Sequence, residues 1–469
     1  MASLMGSLQN ALQALLTHQQ VIEVINHNVA NANTPGYHRQ EAMLSAGVPT
    51  TYSSSQGYFA DEIGSGVVVD SIRRYGLDFF DGRYRSQVGD AKRWGVESQV
   101  LNQVQATLDE TGDDGLTAKL DAFWSGWQSL SVDPTNTSLK ADLLSKSNDL
   151  VNAIQGRNAQ LNQVRLDQNM NITQDVNEVN TDADQIAQLN LEIAHVAGTN
   201  QQPNDLMDQR DLLLDRMAEL TGARADTQPN GMVIVSIGGH ALVSGGDASH
   251  LTVTQSPMLA TIAWQDGNAF KPVSGEIAGL LDLRDNVVKG FQDNLDTLAY
   301  NLAQQVNAIH NPGAGASDPP YAAAGMDFFT QPATVNGAAG AIAVNPAMST
   351  LSNIMGASAA YPEDGEIAQK IAQLQGAPLA ALGNVSLNGY YTQKAAELGL
   401  FTKTAADYSS DRSQVVQALS DQRESLSGVS LDEEAANLMK AQKAFEAASR
   451  MVTTMDEMLD KIINSMGVS

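Results

Sequence analysis

Near the start of the chain Leu8, Leu15, Ile22 and Val29 recur every seven residues, and Leu4, Ala11, His18, Ile25 and Ala32 keep the same period three residues on. A heptad with apolar a and d positions holds one stripe of a helix toward a partner helix. The far end of the chain carries a second stripe. Leu431, Leu438, Phe445, Val452 and Leu459 are seven apart, Ala441, Ala448, Met455 and Ile462 follow three positions further, and Glu434 is the one misfit. Asp432, Glu433 and Glu434 suit the positive end of a helix dipole, which places the start of that helix. The two stripes predict terminal helices that pair as a coiled coil, parallel or antiparallel, with everything else inserted between them.

The inserted chain changes period twice. Residues 84–130 predict helices interrupted at 112–115, with Trp124 and Trp127 as core anchors. A long helix is predicted from Asp133-Pro134 to about Val196, and another over 201–222, opened after Pro203 and closed by Gly222. Between 222 and 274 the period drops to two: GMVIVSIGGHALVSG predicts strand, Gly-Gly turn and strand, and HLTVTQ and LATIAW continue the series. Helical periodicity returns over 274–313, a loop-rich stretch follows to about 365, and a long helix covers 391–426. The expected fold class is mainly α with a small β domain. Residues 1–38 and 429–469 would form a terminal coiled coil, 39–221 and 275–428 a mostly helical bundle, and 222–274 a small β module.

Composition narrows the function. The 469 residues are 43% hydrophobic, and 27 Lys plus Arg against 53 Asp plus Glu give a net charge of −26. Nucleic acid and anionic membrane surfaces need clustered Lys and Arg, so neither is an expected partner. Cysteine is absent, which excludes disulfides, thiolate catalysis and Cys-based zinc sites and suits a chain that crosses a compartment boundary unfolded. No apolar run reaches transmembrane length. The first basic residue is Arg39, so the positive segment of a cleavable secretory signal is not expected.

The seven histidines form no zinc-binding spacing, and no phosphate loop, dinucleotide fingerprint, nucleophile elbow or EF-hand loop is present. Acidic pairs such as Asp113–Asp114 and Glu433–Glu434 fit solvated faces and helix starts better than acid–base chemistry. No catalytic residue, metal or cofactor is expected.

The stretch NHNVANANTPGYHRQ, residues 26–40, ends the first helix. Pro35 pushes Thr34 out of helical geometry, and Pro35-Gly36 suit the central positions of a type II turn. Asn28, Asn31 and Asn33 can bond backbone groups released at the helix end, leaving Tyr37, Arg39 and Gln40 available to a neighbour. NVANANTPGYHRQ closely resembles the N-terminal signature of flagellar axial proteins, and its TPGY-x-RQ ending is most similar to the hook-associated protein 1 family. SGVSLDEEAANLMKAQKAFEAASRMVTTMDEMLDKIIN resembles the C-terminal helix of that family, and GEIAGLLDLRDNV with LDTLAYNLAQQVNAIH its internal helices. His27, His38 and Phe445 depart from the family's frequent asparagine, serine and tyrosine.

The resemblance implies a nested axial-protein architecture with an outer β domain, and a structural, non-enzymatic subunit at the junction of hook and filament. Its terminal helices would line the inner tube of a ring of copies. Partners implied are the hook protein, a second junction protein (hook-associated protein 3) and an export chaperone on the C-terminal helix, with no membrane insertion. The resemblance further implies extracellular placement on the flagellum after type III export without a cleaved signal. The axial motif would be Asn28, Asn31, Asn33, Thr34, Pro35, Gly36, Tyr37, Arg39 and Gln40. The N-terminal seam would be Leu4, Leu8, Leu15, Ile22, Ile25 and Val29. The C-terminal seam, for assembly and chaperone, would be Leu431, Leu438, Phe445, Val452, Met455, Leu459 and Ile462. A hook or distal rod protein is the alternative within this class. A secreted enzyme with flagellar-type export ends is the alternative outside it, and the β segment is short for such chemistry.

Burying large seam residues at ~1.5–3 kcal/mol each scarcely offsets ~1 kcal/mol of backbone entropy per ordered residue, and lone helices nucleate poorly. Residues 1–38 and 430–469 are therefore expected to fray in a free monomer and to fold on docking.

Overall fold

The computed structural model describes residues 2–48, 50–52, 61–108, 112, 114–199, 201–254, 259–311, 326–357 and 364–465. In chain order these form α1 (Ala2–Asn31), β1 (Gln40–Ala46), β2 (Thr50–Tyr52), β3 (Asp61–Ile63), β4 (Val67–Arg74), α2 (Asp78–Leu108), α3 (Leu116–Val132), α4 (Thr137–Ala197) and α5 (Asn204–Thr221). Strands β5 (Arg224–Thr227), β6 (Val233–Ile237), β7 (His240–Ser244), β8 (Asp247–Ala248), β9 (Leu251–Thr254) and β10 (Thr261–Trp264) follow. Next come α6 (Glu276–Asp282), a π turn (Leu283–Val287), α7 (Val288–His310), β11 (Phe329–Thr330), α8 (Ala338–Ala341), β12 (Ala343–Val344), α9 (Glu366–Gln373), α10 (Leu387–Ser427) and α11 (Leu431–Ser465). The mainly helical class with small β sheets is as expected.

The chain divides into two compact units. One comprises 1–89, 178–251 and 413–469; the other comprises 90–177 and 252–412. This division differs from the three expected domains: the strands of 222–274 are parted between the units at Leu251 and Thr252. Side chains explain the sharing. Asn190 of α4 accepts from Val233 N at 3.0 Å and donates to Val233 O and Gly245 O at 2.9 and 2.8 Å, so β6 and the turn after β7 are sewn to a helix of the first unit. In the second unit Arg284 and Asn169 clasp the backbone of Ala260 just before β10.

In the first unit α1 and α11 pack along each other. The side chain of Asn28, near the end of α1, meets that of Glu434, near the start of α11, so the pair is antiparallel. Ala11 and Ile25 of α1 and Ala441 and Ala448 of α11 are buried. Helices α1 and α11 are continuous over their described lengths and pair within one chain. Burial along the predicted stripes is uneven within the single subunit. Leu8, Leu15 and Ile22 are only half-buried and Val29 is exposed, whereas Thr17, Val24 and Asn28 face inward. The reason is a second neighbour that the heptad did not reveal. β1 and β4 pair antiparallel from Gln40↔Arg74 to Ala46↔Val67, and this hairpin also packs on α1. Thr17 Oγ1 donates to Val67 O at 2.8 Å and Asn10 Nδ2 to Gly64 O at 2.8 Å. A helix with two partners buries a face rotated away from the seam of a two-helix coil. On α11, Leu438, Phe445, Val452, Met455, Leu459 and Ile462 are half-buried and Leu431 is exposed. The side chain of Leu4 lies outside the described residues.

Strands β5 to β8 form an antiparallel meander in that order. Val233, Val235 and Ile237 alternate inward along β6, and the Gly238-Gly239 turn has φ +58° and +89°, the left-handed pair that a tight hairpin requires.

The second unit has an apolar core. Leu116, Leu120, Phe123, Trp124, Trp127 and Leu130 line one face of α3 at helical spacing and are buried against residues of α4, α7 and α9. Phe123 and Trp127 meet Phe329 and Phe328 with ring centroids 5.7 and 5.1 Å apart. His310 lies against this cluster. Its Nε2 accepts from Met355 N at 2.9 Å, so its proton sits on Nδ1 and is donated to Met326 O at 2.8 Å.

Candidate assembly site at the terminal helices

Helix α1 stops where the sequence says it should. Thr34 N donates to Asn31 O and Tyr37 N to Thr34 O, closing a turn in which Gly36 takes φ +76°. Asn31 Nδ2 caps His27 O at 3.1 Å, Thr34 Oγ1 donates to Asn31 Oδ1 at 3.2 Å, and Asn33 and Pro35 are exposed.

Asn28 is the centre of the arrangement. Its Oδ1 accepts from Tyr37 OH at 2.8 Å and Gln40 N at 2.9 Å, and its Nδ2 donates to Gln40 O at 2.8 Å and Glu434 Oε2 at 3.0 Å. All four hydrogen-bonding positions of the amide are filled, three by residues of the following turn and strand and one by the C-terminal helix. Arg39 completes the link: its Nε donates to Glu434 Oε1 at 2.7 Å and its backbone N to Ser427 O at 2.8 Å. Burial and the nearby Asp205, Asp208 and Glu434 push the Tyr37 phenol up, which keeps its proton available to Asn28.

From the turn a line of alternating charge continues through the first unit. His38 Nδ1 lies 2.7 Å from Asp208 Oδ1, and Asp208 accepts from Arg74 Nε at 2.6 Å. Arg74 pairs with Asp211, which accepts from Arg85 at 3.0 Å; Arg85 Nε donates to Asp215 at 2.6 Å. Asp215 also takes Arg423 at 2.7 Å, and Arg423 reaches Asp81 at 2.9 Å. Asp208, Asp211 and Asp215 can share these arginines because spacings of three and four place them on one face of α5. Gln40 joins the same helix by donating to Asp205 at 2.8 Å and accepting from Asn204 at 3.1 Å. Burial opposes the charge of Arg74, but Asp211 and Asp208 outweigh it and hold its pKa above the ordinary value. Burial likewise works against the Asp211 carboxylate, and Arg85 and Arg74 reverse this, so its pKa is lowered.

The sequence singled out the turn and Glu434 but not Asp208, Asp211, Asp215, Arg74, Arg85 or Arg423. The aspartate spacing on α5 was the available signal; the arginines come from β4, α2 and α10 and only folding brings them together. Among the described residues no cluster of three or more His, Asp or Glu could hold a metal ion.

Two openings flank α1. A crevice of about 340 Å³ is lined by Val21, Val24, Ile25, Leu44, Ala441 and Ala444 together with Arg39, Glu434 and Lys440. A groove of about 700 Å³ between α1 and the β1–β4 hairpin is lined by Leu12, Leu16, Val48, Val68 and small polar side chains. Met5, Leu12, Leu16 and Val29 of α1 and Leu431, Met439, Met451 and Met458 of α11 are all more than 40% exposed. So many large apolar residues on one helix pair mark a surface for other protein.

A model described as the flagellar hook-associated protein FlgK helical domain matches residues 101–329. Models of the flagellar basal body rod FlgEFG protein C-terminal region and of the flagella basal body rod protein match 421–466 and 8–38. Flagellar hook-associated protein 1 of Bacillus subtilis is 29% identical across all of this chain and 99% of its own length. Over its whole length the chain is similar to flagellar hook-associated protein 1. The Escherichia coli member is 23% identical over 97% of this chain and 99% of its own. The Salmonella typhimurium member is 27% identical over 70% of this chain and 60% of its own. The structure of the flagellar hook junction protein FlgK from Burkholderia pseudomallei superposes with a TM-score of 0.63 over 74% of this chain and all of that one, at 16% identity, which is a likeness of fold. Rod-type models match only the ends of the chain, while the hook-associated helical domain accounts for the middle; hook-associated family members are structural proteins of the flagellum.

Proposed function

We propose that the chain forms the junction between hook and filament by self-assembly through its terminal helices. The observation that carries this reading is the α1/α11 pair, already closed within one subunit yet showing an uncovered apolar stripe on each helix. A stable monomer has no use for that stripe; a ring of copies covers it with the next subunit. Glu23 is the only charged side chain on α1, so neighbouring copies can approach without burying charge. In this reading the hook protein lies below the ring, hook-associated protein 3 above it, and an export chaperone covers the α11 stripe before secretion through the type III channel. The segments 1–38 and 429–469 face the axis, and the strands of 222–274 lie outside.

The test is binding to purified hooks that lack filament. The labelled chain should decorate hook tips under the electron microscope, and a Leu12→Ser, Leu16→Ser variant should melt like the parent yet leave tips bare. Tips decorated equally by the variant, or no binding at tips by the parent, would sink the proposal.

A further inference from the structure

Glu434 occupies a place where the heptad calls for an apolar side chain. Its stripe continues with Ala441, Ala448, Met455 and Ile462, yet Glu434 is 1% exposed. The carboxylate is satisfied by Arg39 Nε at 2.7 Å and Asn28 Nδ2 at 3.0 Å, both from the N-terminal segment. Among the described residues no other polar or charged side chain of α11 is buried. The buried apolar residues are Ala11, Val24 and Ile25 on α1 and the small Ala441 and Ala448 on α11, which repeat at seven. Sliding α11 by one heptad would put Ala448 in the place of Ala441 with little change in packing. The same slide would carry Glu434 away from both its donors.

We propose that Glu434 sets the register of α11 against α1, with Arg39 and Asn28 as its receptors, and that this role, not net stability, is its contribution. A single polar residue inside an apolar helix seam is the best-attested device for fixing alignment, and a buried ion pair replaced whole by apolar groups commonly loses no stability. Glu434 is thus a positioning residue within one subunit, and the proposal does not depend on what the subunit assembles with.

The absence of cysteine allows a direct test by disulfide trapping in the full chain. Val21 lies seven residues before Asn28 and Ala441 seven after Glu434, so in the antiparallel pair they stand at one level. The pair Val21→Cys with Ala441→Cys reports the native register, and Val21→Cys with Ala448→Cys reports a one-heptad slip. In the parent background only the native pair should cross-link. In an Arg39→Met, Glu434→Leu background, which leaves no unpaired buried charge because Glu433 loses Arg39 only at the exposed surface, the melting temperature should hold or rise. The slipped pair should then gain severalfold, to a yield comparable with the native one. Glu434→Gln, which keeps a group able to bond Arg39 and Asn28, should return trapping to the native pair alone. Native-only trapping in the double variant would overturn the proposal. So would its loss of folding, because that would make the ion pair a stabilising contact and not an alignment device.

Discussion

The two units of this chain are held together by opposite means. The second buries aromatic and aliphatic side chains from α3, α4, α7 and α9 around Trp124 and Trp127. The first pairs two helices across alanines and threads a line of arginines and aspartates from α10 to the N-terminal turn. An apolar core is non-directional and stabilises whatever packs well. An ion-pair line is directional: it adds little net stability, but each member left without its partner is penalised. The lesson is that this protein uses hydrophobic burial where it must stay folded. It uses matched charges where distant segments must be held in one alignment beside a surface left open for other copies.

The contrast can be broken from either side. Trp127→Ala should have the largest effect, removing about 3–5 kcal/mol of stability as a cavity opens in a well-packed core. Amide exchange should accelerate across 90–177 and 252–412, and unchanged exchange there would show that the core is not where that unit's stability lies. Asp211→Ala should destabilise by about 3 kcal/mol, because Arg74 and Arg85 each lose one of their two carboxylate partners in a buried setting. Replacing Arg74 and Asp211 together by Met and Leu should recover most of that loss in chemical denaturation, whereas a buried apolar pair of the second unit would show no such recovery.

Acid should separate the units more gently. Burial lowers the pKa of His310 from 6.5 to about 4. The folded state therefore takes up its proton later than the unfolded state. The stability tied to the neutral ring is complete above pH 6.5 and declines as pH falls toward 4. At pH 5 the loss is about 2 kcal/mol, at 1.36 kcal/mol per unit. Asp211, whose pKa is lowered, withdraws its contribution only once pH falls below the ordinary carboxylate value near 3.8. Denaturation midpoints between pH 7 and 5 should fall in the parent and stay level in His310→Gln.

Much of this fold was legible beforehand because long helices announce themselves. Pro203 and Gly222 bracket α5, and the break at 112–115 separates α2 from α3. The Gly-Gly turn between β6 and β7 was equally plain. What escaped was the β1–β4 hairpin, although VVVDSIRR carries β-branched residues, because the strand is half-buried along most of its length and shows no clean alternation. The face that α1 buries within the subunit was hidden for the same reason, since a stripe chosen for one partner cannot show which face a second partner will claim. In the site the turn chemistry of Thr34-Pro35-Gly36 could be read locally. The roles of Asn28 and Glu434 could not: their side chains meet across 406 residues of sequence.

By itself the sequence determined the helix periods, the turn that ends α1, and the likeness to hook-associated proteins. These depend on residues near one another along the chain, where spacing and backbone preference act without help. Only the tertiary structure decided that Glu434 is a buried partner of Arg39 and no flaw in a heptad, and that Asp208, Asp211 and Asp215 share arginines from three different elements. A charge in a sequence carries no record of its counter-charge, because pairing depends on which surfaces the folded chain brings together and removes from water.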